Sequence, residues 1–356
     1  MIIYLYLLKR FLHGLFISLV VLISIEIFFS FTAELKYLDE GDYDLMSIVE
    51  YIILSIPRSI QIMFPYAVLI GTLLSLGSMA SDMEFVAMQS AGMSVKKIIY
   101  IVLFQVFVIS SLFYIITDFT VPRFSSIAEK ERNLALKRQT IYQKNGIWFK
   151  NGNSFIKINE IYPDNSIRGI TVYDYDNNEL SFVRYIQSAK FLEDKWELVD
   201  VLSIDLTKKP ISKSRKSREI SDNLIDINLL SIKTDKSYSL RFKDVKKNIE
   251  YLSVNNLDAS IQKKIYWDKL LKPISTVIML FLAMPFIFGR MRATNASKRI
   301  VIGLFIGISF FIASSILPNL GILIGLNPFI NAILPLIIFL YLGKFIFDFQ
   351  VESGLR

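Results

Sequence analysis

Long apolar segments alternate with polar ones in a pattern that divides the chain into three parts. A bilayer core is crossed by a helix of about 20 mostly apolar residues. Three segments of this length precede residue 120 and three follow residue 268: Phe11–Phe31, Ile52–Ala80, Ile98–Phe119, Leu270–Phe288, Ile300–Leu317 and Pro328–Phe347. The pattern predicts a polytopic α-helical membrane protein with six transmembrane helices and a polar block between the third and the fourth.

The polar block changes from a helical to a strand-like pattern. Residues 125–138 are charged and predict a helix that continues the third span. After it, short alternating runs are separated by turn signals such as Asn151-Gly152-Asn153, which are typical of β-hairpins. Repeated strands and turns predict a β-sandwich or β-jellyroll-like domain. We therefore expect three regions, at residues 1–122, 123–268 and 269–356.

Two stretches of the block do not follow the strand pattern. Lys208–Arg218 is basic and rich in serine, which predicts an exposed loop. Phe242–Lys264 has a helical pattern and predicts a helix that returns the chain to the membrane.

Charge predicts the orientation, because basic residues in short loops mark the cytoplasmic side. The N-terminus carries Lys9 and Arg10, and residues 82–97 and 289–299 are also basic near the membrane, whereas the first loop is acidic. We therefore expect both termini to be cytoplasmic and the polar block to face outward.

Composition narrows the function classes. Hydrophobic residues make up 53% of the chain and the mean hydropathy is +0.45, which excludes an ordinary soluble domain. The net charge of +8 is explained by basic cytoplasmic edges, so no nucleic acid is expected as a partner. The chain has no cysteine and one histidine, His13, so the common zinc sites are excluded. Neither a P-loop nor a Gly-x-Ser-x-Gly motif occurs, and we predict a non-enzymatic subunit without metal or cofactor.

Several residues inside the predicted spans have two interpretations each. Glu26 either lines a polar path or gate, or it lies nearer the membrane surface than its place in the span suggests or bonds a neighbouring helix. Arg58 either binds an anionic lipid or snorkels to the headgroups. Gly303 and Gly307 permit close helix packing, either within the chain or at a seam with another subunit. Proline at positions 57 and 65 predicts that the second helix bends or restarts.

The loop Asp82–Gly92 has helical spacing, with apolar Phe85 and Met88 three residues apart and Gly92 placed to end the helix. It predicts a short amphipathic helix. Such a helix either is the contact through which a soluble ATPase moves the permease or lies on the bilayer surface.

Several sequence segments carry a family resemblance. They are Pro65–Gly71, Leu76-Gly77, Glu84–Gly92, Gly146–Gly152, Lys195–Leu198 and Phe286–Gly289. With them the chain resembles the YjgP/YjgQ permease family, the LptF and LptG subunits of the bacterial lipopolysaccharide exporter, over nearly its whole length. Between Leu180 and Thr207 it is more similar to the LptG type.

The resemblance implies a permease subunit of an ABC transporter that extracts lipopolysaccharide from the inner membrane. The implied partners are an LptF-like sister permease, a dimer of LptB-like ATPases, LptC-like and LptA-like periplasmic proteins, and membrane lipid. The implied location is the bacterial inner membrane, with the central domain periplasmic. The first and fifth helices would form lateral gates, and a β-jellyroll would pass the lipid on.

The resemblance also implies site residues. Glu84, Phe85 and Met88 would contact the ATPase, and Gly303 and Gly307 would pack in a gate helix. Basic residues would pair with lipid A phosphates, since charge-assisted contacts are the strong polar ones. The residues that match basic positions of the family are Lys36, Arg58 and Arg132. The chain departs from the family at Ser30, Tyr37 and Glu129, and Lys137 or Arg138 would compensate.

Three alternatives remain open from the sequence. The chain could be the LptF-type sister subunit of the same exporter. It could instead be a non-transporting membrane-anchored scaffold or binding protein, which would not need the helix at 82–92. An intramembrane enzyme would need a second ionisable residue as a partner of Glu26, and the six apolar interiors supply none.

Overall fold

The computed structural model describes residues 2–137, 146–162, 166–176, 179–192, 195–208, 210–221, 224–225, 240–288 and 296–351. Arg138, residues 177–178 and the basic residues 289–295 lie outside the described residues. The chain divides into two compact units. The helical unit comprises Met1–Lys36, Ile52–Ser125 and Ser260–Arg356, and the sheet unit comprises Tyr37–Tyr51 and Ser126–Ala259.

Helices dominate the described chain, and their bounds are α1 Ile2–Glu34, α2 Leu45–Ser81, α3 Glu84–Ser90, α4 Val95–Ala135, α5 Phe242–Val254, α6 Ser260–Phe288, α7 Ala296–Leu323 and α8 Pro328–Val351. Among the described residues six helices, all except α3 and α5, are long and apolar enough to cross a membrane. The prediction of six transmembrane helices is confirmed. The predicted helix over residues 125–138 is the C-terminal part of α4.

Pro57 and Pro65 both lie inside α2, which continues without interruption from Leu45 to Ser81. The helix therefore does not restart at either proline, and a bend, the other part of the expectation, stays a prediction. A proline removes one backbone hydrogen bond, but transmembrane helices tolerate this loss where neighbouring helices pack around it. The buried side chains of Phe64, Val68 and Leu69 provide that packing around the second proline.

The core of the helical unit forms where α1 crosses α2. A Cβ atom placed on Gly71 would lie 2.7 Å from the backbone of Gly14, so the two glycines let the helices approach closely. Leu7 and Phe11 of α1 pack into the same buried cluster as Leu73 of α2 and Met279 of α6. This contact fixes α1 on one side only, and much of its remaining surface is exposed and apolar.

The sheet unit contains one antiparallel sheet in the described residues, with strands in the order β1 to β6. The strands are β1 Ile147–Asn151, β2 Ser154–Ile161, β3 Ile167–Asp176, β4 Glu179–Leu192, β5 Lys195–Asp205 and β6 Ser212–Ser221. The predicted hairpin at 151–153 is confirmed, with Gly152 at φ +58°. A jellyroll requires two sheets, so this finer assignment stays a prediction.

The expected loop at Lys208–Arg218 was wrong, because β6 begins at Ser212 and pairs along β5. Its side chains are largely exposed, so no apolar alternation marks it as a strand. Cross-strand charge pairs accompany the ladder instead. Arg215 donates two hydrogen bonds of 2.6 Å to Asp200 and thereby lowers the pKa of that carboxyl group.

The predicted single helix over Phe242–Lys264 is divided in two. α5 ends at Val254, and Asn256 follows with φ +52° before α6 begins at Ser260. The break brings Asn255 onto the β1–β2 hairpin, where its side-chain oxygen accepts a hydrogen bond from the Gly152 amide at 3.0 Å. Tyr251 also donates to the Lys150 carbonyl at 2.8 Å. These contacts compete with helix continuation and attach α5 to the sheet.

Candidate functional site

The predicted short helix after the second span is confirmed as α3, Glu84–Ser90. Met83 precedes it with φ 59°, and this left-handed residue separates α3 from the end of α2. Gly92 follows it with φ +90° and donates its amide to the Gln89 carbonyl at 2.9 Å. The two turns therefore fix the ends of α3 at one end of the helical bundle.

The apolar side of α3 is packed into the bundle. Phe85 is 3% exposed, and its ring centroid lies 4.7 Å from that of Phe288 at the end of α6. Met88, one turn further, packs partly buried against the same core. These two residues therefore hold α3 against the transmembrane helices.

Glu84 joins α3 to the first transmembrane helix. Its carboxylate accepts a hydrogen bond of 2.7 Å from the Tyr6 hydroxyl and one of 3.0 Å from the Arg10 guanidinium. Arg10 also donates to the Tyr6 hydroxyl at 2.8 and 2.9 Å. Sequence reasoning missed the roles of Tyr6 and Arg10, because more than 70 positions of chain separate them from Glu84 and no local spacing predicts the contact.

The opposite side of α3 is exposed. Met83 and Val86 are 60% and 45% exposed, and Gln89 lies on the same open side. Exposed apolar residues on a short helix form a surface that another molecule can cover. The predicted contact residues Glu84, Phe85 and Met88 are thus those that attach the helix, and their neighbours form its free surface.

An apolar groove of about 260 Å³ lies between α1, α2 and α7. Gly303 and Gly307 of α7 form part of its wall, with Leu22 of α1 and Tyr66 of α2. A Cβ atom on Gly303 would lie 2.6 Å from the Leu73 side chain, and one on Gly307 would lie 3.5 Å from Tyr66. Both glycines therefore pack against α2 within the chain, which is one of the two interpretations that the sequence left open.

The three predicted phosphate-binding cations lie on three different elements. Lys36 is exposed in a short 3₁₀ turn after α1, Leu35–Tyr37. Arg58 is half-buried within α2. In the sheet unit, the Arg132 guanidinium lies 4.8 Å from the ring centroid of Tyr37 and 5.4 Å from that of Tyr51. Aromatic contacts therefore position Arg132.

Glu26 and the alternative cation Lys137 have polar partners near them. Ser30 donates a hydrogen bond of 3.2 Å to Glu26 one turn away on α1. Lys137 forms an exposed ion pair of 2.8 Å with Asp42.

A polar cluster between α4 and α6 is the main feature that sequence reasoning missed. Lys269 forms an ion pair of 2.8 Å with Asp118, and the two side chains are 16% and 22% exposed. One turn further, the Lys272 ammonium lies 5.6 Å from the ring centroid of Tyr114, whose hydroxyl is 3.2 Å from that of Thr276. Asp118 and Lys272 lie near the ends of the predicted spans Ile98–Phe119 and Leu270–Phe288, and Lys269 directly precedes the second of these spans, so the spans do hold ionisable residues.

The described residues contain no group of three or more His, Asp or Glu side chains that could hold a metal ion. The geometry therefore comprises an apolar groove, separate cations, a partly buried charge pair and a short helix with an open face.

The family model described as lipopolysaccharide export system permease LptF/LptG matches residues 5–348 of the chain. The chain is also similar to the protein named lipopolysaccharide export system permease protein LptG of Haemophilus influenzae, with 29% identity over 93% of this chain and 94% of the relative. The Escherichia coli K12 protein of the same name is 31% identical over 89% of this chain and 90% of the relative.

Proposed function

The chain belongs to the LptF/LptG family of lipopolysaccharide export system permeases, and we propose that it is an LptG-type subunit that moves lipopolysaccharide out of the bacterial inner membrane. The observation that carries the proposal is the similarity to proteins named LptG, which covers about nine-tenths of both chains. The six candidate membrane helices are consistent with a multi-pass location in the inner membrane.

The proposed machine contains two permeases, this chain and an LptF-like sister, driven by a dimer of LptB-like ATPases. The chain itself supplies the surface that the ATPase moves and part of the path that the lipid follows. LptC-like and LptA-like periplasmic proteins would receive the lipid from the sheet unit. The exposed apolar surface of α1 is available to the sister permease within the membrane, although lipid would cover the same surface equally well.

α3 is the proposed coupling helix. Its open face, with Met83, Val86 and Gln89, would contact the ATPase. Glu84, Phe85 and Met88 would transmit the movement, since they contact α1, α6 and the bundle core. A helix held by both an ion pair and a buried ring moves together with the elements that hold it.

The groove beside Gly303 and Gly307 is the proposed place for an acyl chain of the lipid, because its wall is almost entirely apolar. α1 and α7 border this groove and are the proposed gate helices. Lys36, Arg58 and Arg132 are the proposed contacts of lipid A phosphates, for which guanidinium and ammonium groups are suitable partners. On this proposal, both termini and α3 are cytoplasmic and the sheet unit is periplasmic.

The function is tested by affinity purification of the full chain from its own membranes, with mass spectrometry of proteins and lipids together. We expect recovery of a sister permease, a small ATPase and lipopolysaccharide. Recovery of the chain alone with ordinary phospholipid would contradict export and favour a membrane-anchored scaffold. A Val86→Glu variant gives the matched comparison, because it should reduce ATPase recovery without reducing recovery of the sister permease.

A further inference from the structure

A second cavity, of about 510 Å³, lies where the first turns of α1 run beside the first turns of α4. Its wall includes Tyr4 of α1 and Lys96, Lys97, Tyr100 and Phe104 of α4. We call it the N-terminal groove. It lies within the helical unit and shares no lining residue with the groove beside Gly303 and Gly307.

One end of the N-terminal groove is cationic. Lys96 and Lys97 occupy the first turn of α4, and both are exposed. No acidic residue lines the groove. Tyr4 and Tyr100 flank the lysines and are 45% and 72% exposed, as is typical of aromatic residues at the level of lipid headgroups. This end of the groove therefore has the charge and the residue types of a headgroup site.

The other end of the groove is apolar. Phe104 is 68% exposed and follows Lys96 by eight positions, which places it about 12 Å further along the helix axis. Ile101 lines the wall between them. A ligand that fits this gradient has an anionic group at one end and a hydrocarbon chain at the other.

Gln105 joins the two walls of the groove. Its side-chain amide donates a hydrogen bond of 2.9 Å to the Tyr4 carbonyl, which ties α1 to α4. Its Oε1 atom is buried and has no hydrogen-bond partner among the described residues.

We propose that the N-terminal groove binds one anionic phospholipid. The phosphate lies between Lys96 and Lys97, and an acyl chain lies along Ile101 and Phe104. Basic pockets between transmembrane helices are suited to such headgroups. A zwitterionic lipid would fill the apolar end equally well but would bring no net negative charge to the two lysines. The bound lipid would fill the space between α1 and α4 that Gln105 spans.

This inference goes beyond the proposed export function, because it requires only that the helices lie in a bilayer. A soluble protein could reach the two lysines but could not occupy the apolar end, which lies within a transmembrane helix. The occupant is therefore a lipid of the leaflet at this end of the bundle.

The test uses the full chain with the partners that co-purify, reconstituted in nanodiscs of phosphatidylethanolamine and phosphatidylglycerol in equal amounts. Native mass spectrometry after release counts the lipids that remain bound. We expect the wild-type chain to retain phosphatidylglycerol in preference to phosphatidylethanolamine. Each lysine near an anionic lipid contributes on the order of 1 kcal/mol, so removing one should weaken the affinity for phosphatidylglycerol about fivefold.

The informative variant is Lys96→Gln with Lys97→Gln, and the matched control is Lys9→Gln with Lys344→Gln, which removes two exposed lysines that do not line the groove. Lys96→Arg with Lys97→Arg should retain the lipid. Equal retention of the two lipids by the wild-type chain, or an unchanged preference in the Gln variant, would overturn the proposal. Loss of a co-purified protein with unchanged lipid would also overturn it, since the lysines would then be a protein contact. Lipopolysaccharide has a different mass from both phospholipids and is counted separately. Its absence would therefore count against the proposed export function and not against the phospholipid site.

Discussion

Two residues of opposite charge lie partly buried between α4 and α6. Lys269 and Asp118 pair at 2.8 Å, with side chains 16% and 22% exposed, inside helices long enough to cross a membrane. Each charge is acceptable there because the other compensates it. The pair therefore joins α4 to α6, and its loss should cost more than loss of a surface ion pair.

The variant Asp118→Asn tests this contribution. Removing one partner of a buried pair costs about 3–5 kcal/mol, because the other charge is left without compensation. We expect a loss near the lower figure, since both side chains are partly exposed, measured as the free energy of unfolding of the purified protein in detergent. Asp348→Asn makes the same chemical change at an exposed position of α8 and should have little effect. Equal destabilisation by both variants would show that the pair contributes nothing specific.

Sequence reasoning could not supply this pair or the Tyr6–Arg10–Glu84 cluster. The paired residues are 151 positions apart in one case and 74 or 78 in the other. A pattern within one helix predicts which face is apolar, but not which distant residue a charge will meet. Contacts of this kind are set by how the helices pack, and only the structure provides that information.

At the scale of elements, α3 has two faces with different roles. Phe85→Ala should cost about 3–5 kcal/mol of stability, because it removes a ring that is 3% exposed and packs on Phe288. Val86→Glu should leave the unfolding temperature unchanged while lowering recovery of the ATPase, since Val86 is exposed. Thermal unfolding and quantitative co-purification measure the two effects. If Val86→Glu leaves recovery unchanged while Phe85→Ala abolishes it without destabilising the chain, the assignment of faces is reversed.

The packing of α7 on α2 is tested by two alanine substitutions. A Cβ atom on Gly303 would lie 2.6 Å from Leu73, whereas one on Gly307 would be in ordinary contact at 3.5 Å from Tyr66. Gly303→Ala should therefore destabilise the chain by about 1–3 kcal/mol through overpacking, and Gly307→Ala should be tolerated. Unfolding in detergent compares them. If the two variants were equally stable and Gly303→Ala no longer co-purified with the sister permease, this surface would instead lie at a seam between subunits.

The elements that could be predicted are those whose residues repeat with a clear period. The six long helices and the hairpin at 151–153 belong to this group, and so does α3, whose ends are set by Met83 and Gly92. β6 could not be predicted, because its side chains are largely exposed and show no apolar alternation. The strand forms through backbone pairing with β5. The break after α5 depends on hydrogen bonds between Asn255 and a distant hairpin. Local periodicity contains neither signal.

At the scale of the whole molecule, the chain forms two units with different chemistry, because a polar block separates two groups of apolar segments. The helical unit contains the grooves, the partly buried charge pair and α3, and the sheet unit contains the six described strands. A permease that takes a lipid from a membrane and delivers it into water needs an apolar part for the hydrocarbon and a part that works in water. The proposed function assigns the first task to the helical unit and the second to the sheet unit.

The proposed orientation makes the last prediction, and the absence of cysteine from the chain makes it simple to test. Ser90→Cys places a thiol at the exposed end of α3, and Ser212→Cys places one at the exposed start of β6. In intact spheroplasts a membrane-impermeant maleimide should label position 212 and should reach position 90 only after permeabilisation. The reagent reacts with both once the membrane is opened, which controls for accessibility of the thiols. If only position 90 were labelled before permeabilisation, the orientation would be the opposite of the proposed one. α3 could then not contact a cytoplasmic ATPase.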